Sequence, residues 1–358
     1  MIMGLGSKIR SFRSEIKLSL NFPKIFSEIR TVLKEKQLWK NLPRKSYARR
    51  LFENVWWFFI HKEACIYYNS YGFDIKNFRN KRDYLSYRRF RIERNIEDYP
   101  KNIYENKLFV LRNKIAFSIF FGTFLGDNKV VETLGLLDRD GMVYDFKTKE
   151  KTTKDIFFER HASNLFVKKI NGECGEDCYL LQHNKNNISL LSELTGSQFI
   201  IQPLVEQHQD ISNINPSCVN TIRIITIVGK KDHTPNIFAK YMRVGCNSIN
   251  DNRATGGVGV AINDDGILGK YGVGHHKVET IHPVTNHVYE GTSIPFWNEV
   301  KNLVIKAHSY LLDIPTIGWD VAITKTGPIL IEGNDNWEIS GAQDTIGGLK
   351  KKWYAMHE

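Results

Sequence analysis

Cysteine is scarce in this chain. Cys65, Cys174, Cys178, Cys218 and Cys246 are the only ones in 358 residues. So odd and scattered a set is no disulfide framework, and a reducing compartment is expected. Cys174 and Cys178 stand four apart with no second Cys or His pair at zinc spacing, which argues against a structural zinc site. Long apolar runs are missing as well. The greasiest are Val55-Trp-Trp-Phe-Phe-Ile60 and Ile115-Ala-Phe-Ser-Ile-Phe-Phe-Gly-Thr-Phe-Leu125. Both fall short of the roughly 20 residues that a membrane span needs, and the first ten residues lack the apolar core of a signal peptide. A soluble cytoplasmic protein is the expectation. No internal repeat, low-complexity linker, Gly-x-Ser-x-Gly elbow or nucleic-acid recognition motif is present.

What the chain has is an uneven charge. The formal net charge is +11, yet residues 1–100 hold 22 Lys and Arg against 10 Asp and Glu, while the remainder holds 28 against 29. The whole excess therefore sits in the first hundred residues. A solvated helical surface explains it plainly. A surface that meets anionic lipid headgroups, at the inner membrane face, or an anionic glycan explains it more sharply.

Hydrophobic residues make up 42% of the chain, enough for more than one core. Residues 1–104 read as mostly helical, with bases alternating with Phe, Ile, Leu and Trp. A helix is expected over 107–121. Short β-type runs then follow at Leu165–Lys169, Phe199–Pro203, 221–228, 236–244 and 257–262, separated by Gly, Asp and Asn. Residues 296–312 read as a helix, with Trp297, Val300, Val304, Ala307 and Leu311 on one face. Strands and helices without a regular βαβ rhythm point to an α+β fold.

The most informative stretch is Ile317-Gly-Trp-Asp-Val-Ala-Ile-Thr-Lys-Thr-Gly-Pro-Ile-Leu-Ile-Glu-Gly-Asn334. It reads as two apolar strands joined by a turn at Lys325-Thr-Gly-Pro328. Pairing around Thr326 puts Asp320 opposite Glu332, roughly 5 Å away, and alternation puts Asn334 on the face of Glu332. Two carboxylates and an amide oxygen on one patch suit Mg²⁺ that also holds nucleotide phosphates. The bland alternative is a hairpin with solvated acids outside, which the apolar character of both strands opposes.

Other segments carry weaker signals. The strand ending in Lys168 runs into a loop with Gly172 and Gly175, a place where backbone N–H groups approach phosphate. Glu173, Glu176 and Asp177 in that loop act against it. Gln202-Pro203 leads a strand into a polar tail that ends near Glu206. Arg223 sits among apolar neighbours, so its guanidinium needs an anion, either Glu332 or a transferring phosphoryl group. Lys240 and Arg243 point to opposite faces of one strand. Asn252 with Gly256 and Gly257 suits close backbone approach to a ligand. His275, His276, His282 and His287 form a His-rich stretch better suited to surface or substrate contact than to metal.

In order along the chain, these pieces resemble the ATP-grasp superfamily. Phe166-Val-Lys168 resembles its phosphate-contacting strand, residues 171–177 its glycine-rich loop, and Ile201-Gln-Pro-Leu-Val-Glu206 its adenine linker. Asp320 with Glu332-Gly-Asn334 resembles its magnesium ligands. More narrowly, Asn215-Pro-Ser-Cys-Val-Asn-Thr-Ile-Arg223, Gly256-Gly257 and Ile317-Gly-Trp-Asp320 resemble the sugar-transfer-associated ATP-grasp family of bacterial polysaccharide clusters. The resemblance covers roughly residues 105–345. Lys169 stands where many relatives have Pro.

The resemblance implies a basic helical region over 1–104, an N-terminal lobe over 105–206 and a catalytic lobe over 207–358, with ATP and Mg²⁺ between the lobes. It implies nucleotide contacts at Lys168, Gly172, Gly175, Gln202, Leu204 and Glu206, and metal at Asp320, Glu332 and Asn334. Arg223 and Lys168 would be catalytic, and Arg243, Asn252, Gly256, Gly257 and His276 would border the substrate. The implied activity is an ATP-dependent carboxylate–amine ligase that forms an amide through an acyl phosphate, joining an amino acid to a sugar for capsule or O-antigen. A kinase on the same scaffold and a non-catalytic glycan- or membrane-binding module are the alternatives. Asp320→Asn or Glu332→Gln is expected to abolish ATP turnover and spare the fold.

Overall fold

The computed structural model describes residues 22–97, 105–161, 163–170, 172, 178–181, 194, 196–246, 251 and 256–357. Gly175 and Asn252 lie outside the described residues. The helices in chain order are α1 (Phe22–Lys34), α2 (Tyr47–His61), α3 (Tyr87–Glu97), α4 (Glu105–Arg112), α5 (Lys114–Leu125), α6 (Lys154–Arg160), α7 (Gln209–Ser212), α8 (Trp297–Ser309), α9 (Ile339–Ile346) and α10 (Lys350–His357).

Two antiparallel sheets carry the α+β fold. The smaller is ordered β3-β2-β1-β6-β4-β5, built from β1 (Gly135–Leu137), β2 (Val143–Asp145), β3 (Glu150–Thr152), β4 (Leu165–Lys169), β5 (Cys178–Leu181) and β6 (Phe199–Pro203). The larger is ordered β11-β10-β9-β8-β7-β12-β13. Its strands are β7 (Ile222–Val228), β8 (Pro235–Val244), β9 (Val258–Ile262), β10 (Leu268–Val273), β11 (Val278–Glu279), β12 (Thr316–Thr324) and β13 (Gly327–Asn334).

Strand alternation in the larger sheet decides where charge can sit. Ile222 and Ile224, Met242 and Val244, and Trp319 and Val321 enter one core, which α4, α5 and α8 cover. The residues between them, Arg223, Arg243 and Asp320, therefore face the other way. That second face carries its own core of Tyr241, Phe238, Trp337 and Trp353, closed by α9, α10 and Phe90 of α3. The smaller sheet packs Phe157 and Phe158 of α6 against Leu137, Val167 and Ile201.

Several expectations need correction. The helix expected over 107–121 is two helices. Asn113 divides them, because its side-chain oxygen accepts from the N–H of Ile115 and Ala116 at 3.0 Å each and starts α5 anew. The segment between α2 and α3 is mostly turns rather than helix. Tertiary bonds hold it instead: Lys45 Nζ donates to Phe73 O at 2.6 Å, and Arg44 pairs with Asp74 at 2.9 Å. The rings of Tyr68, Tyr71, Phe73 and Tyr84 fill its centre. The region is stitched to α9, where Leu85 N–H donates to Gln343 Oε1 at 2.9 Å and Arg79 Nη1 donates to Asp344 O at 2.9 Å. No helix among the described residues is long and apolar enough to cross a membrane.

Candidate active site between the two sheets

Strands β12 and β13 meet with Asp320 opposite Glu332 and Gly318 opposite Asn334. The route to that register differs from a plain hairpin. Near the turn, Thr324 pairs with Gly327 and Val321 with Leu330, a frame that would set Asp320 against Ile331. A bulge between Asp320 and Val321 shifts the frame by one and delivers Glu332. Asn334 Nδ2 then donates to Glu332 Oε1 at 3.1 Å, so all three oxygen-bearing side chains gather on one patch. Gly333 between them is closely packed. A Cβ there would stand 2.9 Å from Leu111 Cδ2 and 3.2 Å from the Trp319 ring.

The partner of Arg223 is Asp320, not Glu332. Across the β7–β12 pair the two residues are directly opposed. Arg223 Nε donates to Asp320 Oδ1 at 2.6 Å and Nη2 to Oδ2 at 3.0 Å. Arg243 Nη1 donates to Asp320 Oδ2 at 2.9 Å, and Arg243 Nη2 pairs with Asp251 Oδ1 at 2.9 Å. Asp251 Oδ2 accepts from the Thr221 N–H at 2.8 Å and from its hydroxyl. Burial acts to raise the Asp320 carboxyl, but Arg223 and Arg243 outweigh it and hold the group at about 2. Asp251 is a member of this ionic network and lines the cleft, and the sequence reading passed over it. Its signal was its place at the start of the loop that holds Asn252, Gly256 and Gly257.

Lys168 lies opposite, on β4 of the smaller sheet. It is buried, and its ammonium makes no hydrogen bond to any described residue. Burial lowers its pKa, while the charges of Glu332 and Asp320 act to raise it. Lys168, Phe166, Leu204, Val205, Val219 and Ile331 line a cleft of about 290 Å³ between the sheets. Gln202 also lines it, with Nε2 donating to Val131 O at 3.4 Å. The floor is the segment Asn215-Pro-Ser-Cys-Val-Asn220, knotted by its own amides. Asn220 Nδ2 donates to Asn215 O at 2.7 Å, and Gln207 Oε1 accepts from the Asn220 N–H at 2.7 Å. This explains why the motif carries two asparagines.

Other expected residues fall at or beyond the rim. Gly172 O accepts from Lys114 Nζ at 2.6 Å, which fixes the start of the loop after β4. The Leu204 N–H is used by Asn164 O at 3.0 Å. Glu206 is exposed and pairs with Lys325 at 2.8 Å, outside the cleft lining. Gly256 has a φ of +95°, a conformation that favours glycine, and Gly257 precedes β9. His276 is exposed in the turn after β10. Buried His282 instead contacts Gly245 O at 2.9 Å. A larger hollow of about 530 Å³ opens in the N-terminal region beside Trp57, Tyr67 and Arg88, but none of the expected site residues lines it.

The donor set fits a hard divalent cation. Asp320 Oδ1 accepts one hydrogen bond and keeps a lone pair, and Glu332 and Asn334 supply further oxygens. Among the described residues no cluster of three or more His, Cys, Asp or Glu is suited to metal.

A two-sheet fold with a charged cleft between the sheets is thus the class of architecture. The sequence model of the family described as sugar-transfer associated ATP-grasp matches residues 97–352, and the chain belongs to that family. No curated protein sequence matches it. Among solved structures, the D-alanine–D-alanine ligase from Coxiella burnetii is 13% identical with a TM-score of 0.38, over 69% of this chain and 53% of that one. The ADP complex of purK, N5-carboxyaminoimidazole ribonucleotide synthetase, is 11% identical with a TM-score of 0.43, over 72% and 53%. The ATP-grasp ligase PsnB with precursor peptide PsnA2 and AMPPNP is 14% identical with a TM-score of 0.35, over 66% and 58%. The chain spans little more than half the length of these proteins. At such scores they add nothing to the family assignment.

Proposed function

We propose that the cleft binds ATP with Mg²⁺ and that the chain is an ATP-dependent carboxylate–amine ligase. The observation that carries this reading is Lys168, a buried lysine on the cleft wall, near the charges of Glu332 and Asp320, whose ammonium makes no hydrogen bond to a described residue. A buried cation without a hydrogen bond is costly, and a phosphate oxygen would satisfy it. In this reading residues 105–206 contribute the nucleotide side of the cleft and 207–358 the catalytic side, although α4 and α5 pack on the core of the larger sheet.

The charges explain a need for metal. Asp320, Glu332 and Asp251 oppose Arg223, Arg243 and Lys168, so the centre is close to neutral, with Lys114 at its edge. A triphosphate brings several negative charges that these groups do not balance. Asp320, Glu332 and Asn334 would hold Mg²⁺, which supplies the charge neutralisation that phosphoryl transfer needs. Arg223 spends Nε and Nη2 on Asp320, which leaves Nη1 for charge developing on the transferred phosphoryl. Lys168 would hold an α- or β-phosphate oxygen. The substrate carboxylate would take the γ-phosphoryl to give an acyl phosphate, and an amine would then displace phosphate to leave an amide.

Family membership supports a sugar-bearing substrate, and we propose an amino acid and a sugar as the two partners, joined for a bacterial surface polysaccharide. The test is mass spectrometry of products from ATP, Mg²⁺, amino acids and uronic acids or amino sugars. Amide with ADP and free phosphate supports the ligase. A phosphorylated acceptor without free phosphate would replace it with a kinase.

A further inference from the structure

Helix α2 buries Trp57 and Phe58 and turns a second apolar face outward. Its residues Arg50, Glu53 and Asn54 are buried, while Phe52, Trp56, Phe59 and Ile60 are exposed at 60, 57, 60 and 56%. The spacing i, i+4, i+7, i+8 puts these four on one face. Arg50, Asn54 and Trp57 mark the opposite one. Glu53 is fully engaged: it pairs with Lys45 at 3.1 Å, Arg49 at 2.9 Å and Lys81 at 2.5 Å, and accepts from Tyr68 at 2.7 Å, while Arg50 Nη1 donates to Leu33 O at 3.2 Å and Asn54 Nδ2 to Arg50 O at 2.9 Å, leaving Arg50 Nε and Asn54 Oδ1 without a partner among the described residues. The fold therefore spends its charged side chains on holding the helix and turns four large apolar ones outward. Neighbouring α1 packs on the buried side of α2, through Phe58, Ile25, Ile29 and Leu33, and carries an exposed stripe of its own: Phe26 is 56% exposed, and Arg30 and Lys34 follow it at four-residue steps.

Charge identifies the occupant. Residues 22–62 hold ten Lys and Arg against three Asp and Glu, and setting aside Lys45 and Arg49 with their partner Glu53, and Arg44 with Asp74, still leaves seven bases against two acids. Two copies meeting through this face would press like charges together. Residues 1–21 add four bases and one acid, so covering the face with them would relieve nothing. Aromatic rings flanked by bases match the interfacial layer of an anionic bilayer, where rings enter the headgroup level and bases meet lipid phosphates. We propose that Phe52, Trp56, Phe59 and Ile60 of α2, with Phe26, Arg30 and Lys34 of α1, form a peripheral docking surface for an anionic lipid bilayer. The proposal is independent of the chemistry assigned to the cleft.

The test is co-sedimentation of the full chain with phosphatidylcholine vesicles and with phosphatidylcholine–phosphatidylglycerol vesicles across a salt series. The chain should bind the mixed vesicles, and salt should weaken that binding. Phe52→Ser with Trp56→Ser, and separately Arg30→Glu with Lys34→Glu, should each weaken binding by roughly tenfold or more while thermal unfolding stays as in the wild type. Absent binding to mixed vesicles at low salt overturns the proposal, as does equal binding by the Phe52/Trp56 variant. So does a wild-type dimer that this variant dissociates in light scattering, a result that would assign the face to a second copy.

Discussion

Arg223 and Asp320 face each other on neighbouring strands and are joined by two parallel hydrogen bonds of 2.6 and 3.0 Å. With Arg243 also on Asp320 Oδ2, one carboxylate anchors two guanidinium groups, that of Arg243 buried and that of Arg223 largely so. Asp320 thus has a structural duty in addition to any metal it holds. Glu332, directly opposite on β13, makes no hydrogen bond to an arginine among the described residues.

The first prediction separates the two acids. Asp320→Asn should lose ATP turnover and also lose about 3 kcal/mol of stability, because the largely buried Arg223 loses its carboxylate and buried Arg243 is left with Asp251 alone. Glu332→Gln should lose turnover while stability changes by less than about 1 kcal/mol. Urea unfolding beside an ATPase assay measures both. An Asp320→Asn chain as stable as the wild type would show that the arginines do not depend on it. This revises the expectation that both variants spare the fold.

Lys168 should trade stability for binding. Lys168→Met puts an uncharged side chain of similar length in place of a buried ammonium that has no hydrogen bond to a described residue, so the nucleotide-free protein should gain about 1 kcal/mol. The same variant should bind ATP at least tenfold more weakly. Thermal unfolding with and without MgATP reads both effects, and a destabilised Lys168→Met chain would mean that the ammonium has a partner.

A buried relay in the larger sheet makes stability depend on pH. Trp319 Nε1 donates to Thr226 Oγ1 at 2.8 Å, Thr226 donates to His308 Nδ1 at 2.6 Å, and His308 Nε2 donates to Ile314 O at 2.7 Å. The chain of donors closes only with a neutral ring, and burial lowers the His308 pKa to about 4. The unfolded chain takes its proton near the ordinary 6.5. The contribution of His308 is therefore complete above about pH 6.5 and shrinks as pH falls toward 4, by about 3 kcal/mol in all. Unfolding free energies measured over that interval should fall less steeply in His308→Asn. Identical slopes in variant and wild type would contradict the relay.

Much of the cleft was legible in the sequence because acids and bases in apolar strands break the alternation rule visibly. Asp320, Glu332, Arg223 and Lys168 all announced themselves in this way. The bulge that aligns Glu332 was not legible, since a one-residue register shift leaves no composition signal. Asp251 and Lys114 were missed because each sits at an element boundary, where a polar residue is unremarkable until its partner is known. Strands of three residues such as Gly135–Leu137 and Val143–Asp145 are too short to show a period. The outward apolar face of α2 was hidden by its greasy composition, which reads equally well as core.

The central claim is that Mg²⁺ and ATP meet the chain at Asp320, Glu332 and Asn334 across from Lys168. Calorimetric titration of a non-hydrolysable ATP analogue, with and without Mg²⁺, into the wild type and Glu332→Gln tests it most directly. The account predicts metal-dependent binding by the wild type and loss of that metal dependence in the variant. Equal, metal-dependent affinity in both proteins would contradict it.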